Sequence, residues 1–398
     1  MKRIILINII VTLFLSMTTI HGTNSWDLDS NDWVFLNETD YFYLSLIPEN
    51  YEVVVGVIGT GIEPGLEYLD DFIYTNPNET LNGLDDDNNG VVDDISGASF
   101  VYNDDYDLII SNEMKDSSGN RYGHETVVAS IIASKPTEQN PSIFGPAYFS
   151  NSKIKLLPIR FVTEDGSLSN IPHALAVNYA VSMNVDIMTC SYVDRSISSS
   201  VHDAYQRAFD NDIIVVGGAG NSGELLDTYP CMYDDSICVG GIESGLNFSS
   251  NSSYGHNDFV TFDTNINLLG KTGLPINNTN YFAVELIGTS YSTPQITATI
   301  AKILSFDDSY NKESVYSLLK NHAKFTGDNA GHGYINFKSL AEEFITIRTK
   351  FVSHPDNENL VYEFIWSEDK TSGVFARGFI RYMYLDGVRF SVFKEFQL

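Results

Sequence analysis

Three short motifs could supply a nucleophile, a base and a hydrogen-bond donor to one site. Ser290 lies in Gly-Thr-Ser at the start of an apolar helical pattern, and the N-terminus of a helix favours developing negative charge. His124 opens a second apolar helical pattern, and imidazole is a base whose pKa lies near neutral pH. Asn221, within Ala-Gly-Asn, could offer its side-chain amide to an oxyanion. These residue types predict a site for nucleophilic catalysis.

Strand-like and helix-like segments alternate along the region that contains these motifs. Apolar, β-branched runs predict strands at 53–58, 154–161, 186–191 and 213–216. Helical spacing predicts helices at 126–133, 171–183, 202–209, 292–304 and 313–322. Such alternation indicates an α/β fold with a central, mostly parallel sheet flanked by helices.

The motifs and their order resemble those of the subtilisin-like serine proteases, the subtilases (peptidase S8). The resemblance runs from about Val53 to about Ile345 and rests on five segments: 57–62, 123–129, 219–223, 288–294 and 331–336. It implies a subtilisin-like three-layer fold. It also implies a serine endopeptidase in which Ser290 is the nucleophile, His124 the base and Asn221 the oxyanion-hole donor.

Gly59 stands where the family carries the aspartate that orients the histidine. In subtilisin, removal of that aspartate alone lowers kcat by about 3 × 10⁴-fold, on the order of 6 kcal/mol. Glu125 directly follows His124, but adjacent helix residues do not face each other, so Glu125 is not expected to replace the aspartate. Other carboxylates could do so by proximity in sequence alone, namely Asp70, Asp71, Asp104, Asp105 and Asp116.

Other departures from the family pattern also suggest weakened catalysis. Val127 replaces a second histidine, and Tyr291 follows the serine where methionine is common. Val193 stands where a glycine usually lines the substrate channel, so it would place a side chain where backbone approaches the peptide.

An acidic loop at 84–94 could hold a cation. Asp85, Asp87 and Asn89 alternate before the turn at Gly90, and this spacing lets oxygen atoms converge on a hard cation. The carbonyl of Val91 and the carboxylate of Asp94 would complete the set. Subtilases often carry a similar insert that binds structural calcium, and the alternative is a solvated acidic turn.

The chain has three cysteines. Cys231 and Cys238 flank a short turn-like insert, so we expect either a small disulfide between them or two buried thiols. Cys190 lies in an apolar run and is expected in the core.

Composition and sequence texture divide the chain into four parts. Residues 1–22 are typical of a signal peptide, with an uncleaved anchor as the alternative. Residues 23–50 form a short strap or strand, 51–345 the subtilisin-like domain, and 346–398 a small β-rich extension or strands that pack on that domain. We expect a secreted or cell-surface protein without a stable membrane span after removal of the signal peptide. The formal net charge of −29 disfavours nucleic acid as a partner.

Three functions are open at this stage. Loss of the aspartate favours a pseudoprotease that binds a protein or peptide in the old substrate cleft. Retention of His124, Asn221 and Ser290 favours a serine endopeptidase of low or narrow activity. A structural or adhesive module, with its contacts in the β-rich tail, is the third.

Overall fold

The computed structural model describes most of the chain from residue 41 onward. The described residues are 41–101, 114–115, 121–135, 145–147, 152–163, 166–243, 245–263, 266–270, 282–354, 357–385 and 388–396. The chain forms two compact units, and among the described residues the boundary between them lies after Glu343. The predicted signal peptide at 1–22 lies outside the described residues, as do Asp104, Asp105 and Asp116.

The first unit contains the described α-helices, the last of which ends one residue past the boundary. Its strands form one main sheet and two small antiparallel pairs. The helices are α1 (His124–Ile132), α2 (Asn170–Ser182), α3 (Ser199–Asp210), α4 (Thr289–Phe306), α5 (Lys312–Asn321) and α6 (Phe337–Phe344). Strands of its main sheet are β1 (Val53–Gly59), β2 (Ala98–Ser99), β5 (Ile154–Arg160), β6 (Ile187–Cys190), β7 (Ile214–Gly218), β8 (Ser236–Ile242), β9 (Phe259–Phe262), β12 (Ala323–Lys324) and β13 (Tyr334–Ile335). Two small antiparallel pairs are β3 (Met114–Lys115) with β4 (Arg121–Tyr122) and β10 (Ile266–Gly270) with β11 (Phe282–Leu286).

The main sheet has nine strands in the order β12-β13-β9-β8-β7-β6-β1-β5-β2. All of its neighbouring pairs are parallel except β12 with β13. The central strands are buried and apolar along their length, as expected for a sheet covered on both faces. Parallel pairing places the carboxyl ends of these strands at one edge, and the loops that follow β1, β6 and β7 therefore meet there.

Helix α4 lies at the centre of the unit. It packs against α1 and against β6, β7, β8 and β9, and nearly all of its residues are buried. Three of its threonines, Thr293, Thr297 and Thr299, donate their hydroxyls to the carbonyls four residues earlier, as Thr293 does to Thr289 at 2.8 Å. Burial on all sides fixes the position of the helix start, where Ser290 lies.

The N-terminal segment is tied to α4 by a buried ion pair. The Nζ atom of Lys302 lies 2.7 Å from Glu49 Oε1, and both side chains are almost fully enclosed. Residues 41–46 form a 3₁₀ helix, so the strand considered for this segment is not seen in its described part.

The second unit is a four-stranded antiparallel sheet. Its strands β14 (Ile345–His354), β15 (Asn357–Asp369), β16 (Phe375–Leu385) and β17 (Val388–Phe396) are ordered as in the chain. Leu385 pairs with Val388, while the Asp-Gly turn between them lies outside the described residues. The α/β fold class with a small C-terminal β appendage is confirmed.

Candidate active site

The functional side chains gather at the carboxyl edge of the main sheet. Ser290 is the second residue of α4 and His124 the first residue of α1. Asn221 follows the end of β7, and Ser191 directly follows β6. The fold therefore brings the three motifs predicted from the sequence to one edge of the sheet.

A carboxylate oxygen contacts the ring of His124. The Oε1 atom of Glu125 lies 2.8 Å from His124 Nδ1, within hydrogen-bond distance. Adjacent positions in a helix did not favour Glu125 as the residue that orients the imidazole, yet its carboxylate makes this contact. Side chains in the first helical turn lean toward the N-terminus of the helix. His124 is the first residue of α1, and the long side chain of Glu125 can curl back beside its ring.

Glu125 occupies the volume that a side chain at position 59 would need. A Cβ atom built on Gly59 would overlap the carboxyl carbon and Oε1 of Glu125, and would lie 2.9 Å from Oε2. Gly59 is the last residue of β1 and its φ is not in the left-handed region, so backbone conformation does not require glycine there. A side chain at position 59 and the carboxyl group of Glu125 therefore cannot keep these places together.

Thr60 holds the second oxygen of this carboxylate. Its main-chain N–H donates to Glu125 Oε2 at 2.7 Å, and its hydroxyl contacts the same atom. Glu125 is 2 % exposed and His124 is half-buried. A carboxylate so enclosed needs these donors, since a buried charge without partners is costly.

The pair is electrostatically matched. Burial opposes ionisation of the carboxyl, yet the pKa of Glu125 lies below its usual value because the charge and hydrogen bond of His124 and the donors of Thr60 stabilise the anion. Burial would lower the pKa of His124, but the Glu125 charge and hydrogen bond raise it above the ordinary value. Glu125 thus favours the imidazolium that a catalytic base forms.

Ser290 and Ser191 exchange two hydrogen bonds. The Ser290 hydroxyl donates to the carbonyl of Ser191 at 3.0 Å, and the Ser191 hydroxyl donates to the carbonyl of Ser290 at 3.0 Å. The hydroxyl of Ser290 is therefore bonded to the main chain rather than to His124. Catalytic hydrogen bonds are often long or misaligned without substrate.

Asn221 is fixed with its amide nitrogen free to point outward. Its Oδ1 accepts from the Thr289 main-chain N–H at 2.8 Å and from the Thr289 hydroxyl at 3.1 Å. These two bonds determine which end of the amide is oxygen. The NH₂ group then remains available as a donor beside Thr289, the residue that precedes Ser290, as an oxyanion site would require.

The other departures from the family pattern have definite places. Val127, on α1, is 1 % exposed and belongs to the hydrophobic core. The ring of the buried Tyr291 lies 6.0 Å from that of His124, so it packs beside the base. Val193 is partly exposed. Asp71 pairs with Lys135 and Asp70 is exposed, so neither supplies the missing carboxylate in the described residues.

A disulfide joins Cys231 and Cys238, whose Cα atoms are 4.9 Å apart. Both residues pack with Ala219, which lies two positions before Asn221. The bridge therefore supports the segment that carries Asn221. Cys190 is a buried free thiol.

The acidic loop forms a compact carboxylate cluster whose members only partly match the predicted set. Glu79, Asp87 and Asp94 each place one oxygen within 4.8 Å of the others. Asp87 and Asp94 were predicted from the sequence, whereas Glu79 was missed because it lies before the repeating Asp/Asn pattern. Asp85 instead accepts the N–H groups of Asn89 and Gly90, and thereby shapes the turn.

Asn89 and Val91 are engaged differently from the prediction. The Asn89 Nδ2 donates to Asp87 and Asp94, and its Oδ1 accepts from the Val91 N–H at 2.8 Å. The buried Oε2 of Glu79 has no hydrogen-bond partner among the described residues. An unpartnered carboxylate oxygen beside two further carboxylates fits a hard cation with oxygen ligands.

Comparison with known proteins agrees with this geometry. Residues 50–340 match the Subtilase family of peptidase S8. The chain is 28 % identical over 254 residues to Subtilisin DY from Bacillus licheniformis, which covers 62 % of this chain and 84 % of the relative. It is 26 % identical over 286 residues to Subtilisin Savinase from Lederbergia lenta, covering 71 % and 91 %. It is 25 % identical over 309 residues to a thermostable alkaline protease from Halalkalibacterium halodurans, covering 77 % and 74 %. The chain belongs to the subtilase family.

Within the described part of the chain, no helix combines the length and the apolar character needed to cross a bilayer.

Proposed function

We propose that this chain is a serine endopeptidase whose triad is Ser290, His124 and Glu125. The observation that carries the proposal is the 2.8 Å contact between Glu125 Oε1 and His124 Nδ1, in the space left by Gly59. A carboxylate at this nitrogen fixes the ring orientation and stabilises its cation, which are the two tasks of the family's aspartate.

In the proposed reaction, the Ser290 hydroxyl attacks the peptide carbonyl and passes its proton to His124 Nε2. The Glu125 carboxylate keeps the proton on Nδ1 and stabilises the imidazolium, which then protonates the leaving amine. The Asn221 amide donates to the oxyanion of the tetrahedral intermediate, an interaction worth about 10²–10³ in kcat. Before attack, Ser290 must exchange its bond to Ser191 for one to His124.

The first experiment treats the full secreted chain with a fluorophosphonate probe and a broad peptide library. We expect covalent labelling of Ser290 and cleavage of peptides, both abolished in Ser290→Ala. Absence of labelling in a correctly folded wild-type protein would overturn the proposal.

A second candidate is a peptide-binding pseudoprotease. The bond from Ser290 to the Ser191 carbonyl favours it, because a nucleophile held on the main chain does not lose its proton to the base. Cleavage of bound peptides by the wild type distinguishes the two functions. A pseudoprotease would bind peptides in the cleft with equal affinity in wild type and Ser290→Ala, and neither protein would cleave them.

We also propose that the cluster of Glu79, Asp87 and Asp94 binds structural calcium. Its role would be to hold the long loop after β1 against α2, because Asp94 also accepts the hydroxyl of Tyr179 at 2.5 Å. Burial raises the pKa of Asp94, and a bound cation would favour its ionised form instead.

Export from the cell is the third proposal. The disulfide between Cys231 and Cys238 supports it, since such bonds persist in oxidising compartments. Mass spectrometry of the mature protein would test this. We expect a new N-terminus near residue 23 and an intact disulfide, and an intracellular protein that keeps its first residues would contradict the proposal.

A further inference from the structure

A cleft lies at the edge of the main sheet opposite to Ser290 and His124. It has a volume of about 330 Å³ and is formed by the residues that precede β1, β6 and β7 and those that follow α4. We call it the amino-end cleft, because parallel strands all begin at this edge. Since the catalytic residues occupy the carboxyl edge, this cleft is separate from the proposed active site.

The charges around the amino-end cleft have one sign. Its lining includes Glu52, Asp186, Asp212 and Asp308, and none of its lining residues is a lysine, arginine or histidine. The carboxylate of Asp186 is partly withdrawn from water, although the residue as a whole is exposed. This burial raises the pKa of Asp186, the Val54 N–H bond opposes the rise, and the Glu52 charge adds to it.

The backbone adds to the negative potential. Helices α2 and α3 both end at this cleft, at Ser182 and Asp210. The chain then passes through Asn184 and Asp212, whose φ angles are 48° and 59°. The carbonyl end of a helix carries partial negative charge, so two helix termini reinforce the carboxylates.

The remaining lining consists of apolar residues, one tyrosine and three asparagines, namely Asn184, Asn211 and Asn311. Val53, Val185, Ile213 and Leu304 form part of the wall, and Tyr310 adds a ring that can contact a cation through its face. A cleft of this volume is larger than a single metal ion needs and falls within the range of small-molecule sites. Carboxylates around an apolar wall suit a ligand with one charged end and a short hydrocarbon part.

We propose that the amino-end cleft binds a small organic cation, an ammonium or guanidinium group on a short aliphatic chain. The apolar wall takes the hydrocarbon part, and the four carboxylates surround the charged head. The proposal does not depend on the proposed protease activity, because the cleft and the catalytic residues lie at opposite edges of the sheet.

The test is titration calorimetry of the full chain with n-butylguanidinium and with n-butylurea, its neutral analogue of the same shape. We expect n-butylguanidinium to bind, more weakly as salt is raised, and n-butylurea not to bind. Equal binding of both compounds, or binding of neither, overturns the proposal. An arginine side chain in a capped tripeptide presents the same chemistry. Binding of this peptide assigns the cleft to a peptide side chain, and its failure to bind assigns the cleft to a free amine or guanidine.

Asp212→Asn and Asp308→Asn locate the site. Asparagine accepts the left-handed conformation at position 212, so this change removes charge without straining the backbone. Each change should weaken binding about two- to fivefold, and the double variant more. The control is Asp328→Asn, an exposed residue outside the cleft with the same change of charge. Equal weakening by the control would overturn the assignment, and peptidase activity should be unchanged in all four variants.

Discussion

The Oε1 atom of Glu125 lies 2.8 Å from Nδ1 of His124, and its carboxyl group fills the space that a side chain on Gly59 would enter. The two positions are therefore coupled by volume as well as by chemistry. A residue at 59 can carry a side chain only if Glu125 gives up its place. This coupling provides the most direct test of the proposed triad.

A carboxylate moved from position 125 back to position 59 should restore activity. Gly59→Asp alone should be inactive and destabilised, because two carboxylates then compete for one buried space. Glu125→Gly alone should lose on the order of 10⁴-fold in kcat/KM, as when the triad aspartate is removed. The double variant Gly59→Asp/Glu125→Gly should recover much of the activity, measured with one peptide substrate. If kcat/KM of the double variant were no higher than the value expected from multiplying the two single losses, the proposed replacement would be contradicted.

The pH dependence of kcat/KM should reveal the effect of Glu125 on the pKa of His124. A catalytic histidine must be neutral to accept a proton, so a raised pKa of His124 moves the acid limb of kcat/KM to higher pH. Glu125→Gln removes the charge that raises this pKa. Its residual activity, lower by about 10⁴-fold, should show an acid limb at lower pH than wild type.

Glu67→Gln is the control for this experiment, since it is an exposed glutamate with the same change of charge. It should leave both the rate and the acid limb unchanged. An unshifted limb in Glu125→Gln would show that Glu125 does not act on the imidazole.

Stability should also depend on Asp263, which is fully buried and has no hydrogen-bond partner for either oxygen among the described residues. Burial raises its pKa to about 6. Between the unfolded value of 3.8 and the folded value of about 6, the folded state binds more protons, so stability falls as pH rises through this range. The loss above pH 6 is on the order of 2–3 kcal/mol.

Asp263→Asn removes the charge and should raise the melting temperature at pH 7.5 but not at pH 4. Asp328→Asn, an exposed substitution of the same kind, should change neither value. An equal effect of Asp263→Asn at both pH values would mean that burial of the charge is not the cause.

Calcium should raise the melting temperature, and a chelator should lower it. Glu79→Gln should reduce the response to calcium, because it neutralises the carboxylate whose Oε2 is buried without a partner. Glu67→Gln should respond as wild type does. An unchanged transition in saturating chelator would remove the calcium proposal.

Replacement of both bridged cysteines by serine should cost about 2–3 kcal/mol of unfolding free energy, the amount expected for so short a loop. Because the bridge packs against Ala219, labelling of Ser290 by the fluorophosphonate should also slow. The buried thiol variant Cys190→Ser tests whether loss of any buried sulfur has this effect. Equal slowing in that variant would argue against a specific role of the bridge.

Much of the fold could be predicted from the sequence because its central strands are continuous apolar runs. The runs at 53–58 and 213–216 and the helix at 292–304 lie within one or two residues of β1, β7 and the body of α4. Strands β8, β9 and β13 were not predicted. A glycine pair interrupts β8, while β9 and β13 are too short to show a period.

The site divides in a similar way. Ser290, His124 and Asn221 follow from local motifs, because each sits at a defined helix or strand end. The role of Glu125 could not be predicted, because it depends on the empty volume at Gly59, 66 positions earlier in the chain and adjacent only in the fold. Glu79 was missed for a related reason, since it approaches Asp87 and Asp94 through the path of the loop.

The coupling of Gly59 and Glu125 has an evolutionary consequence. If an ancestor carried the family's aspartate at position 59, gain of Glu125 first would place two side chains in one space. Loss of the aspartate first would leave His124 without a carboxylate at Nδ1. Either order passes through a protein in which the two side chains are crowded or the histidine has no carboxylate at Nδ1. Once crossed, the two positions would be inherited as a unit, and descendants of this lineage should carry both residues or neither.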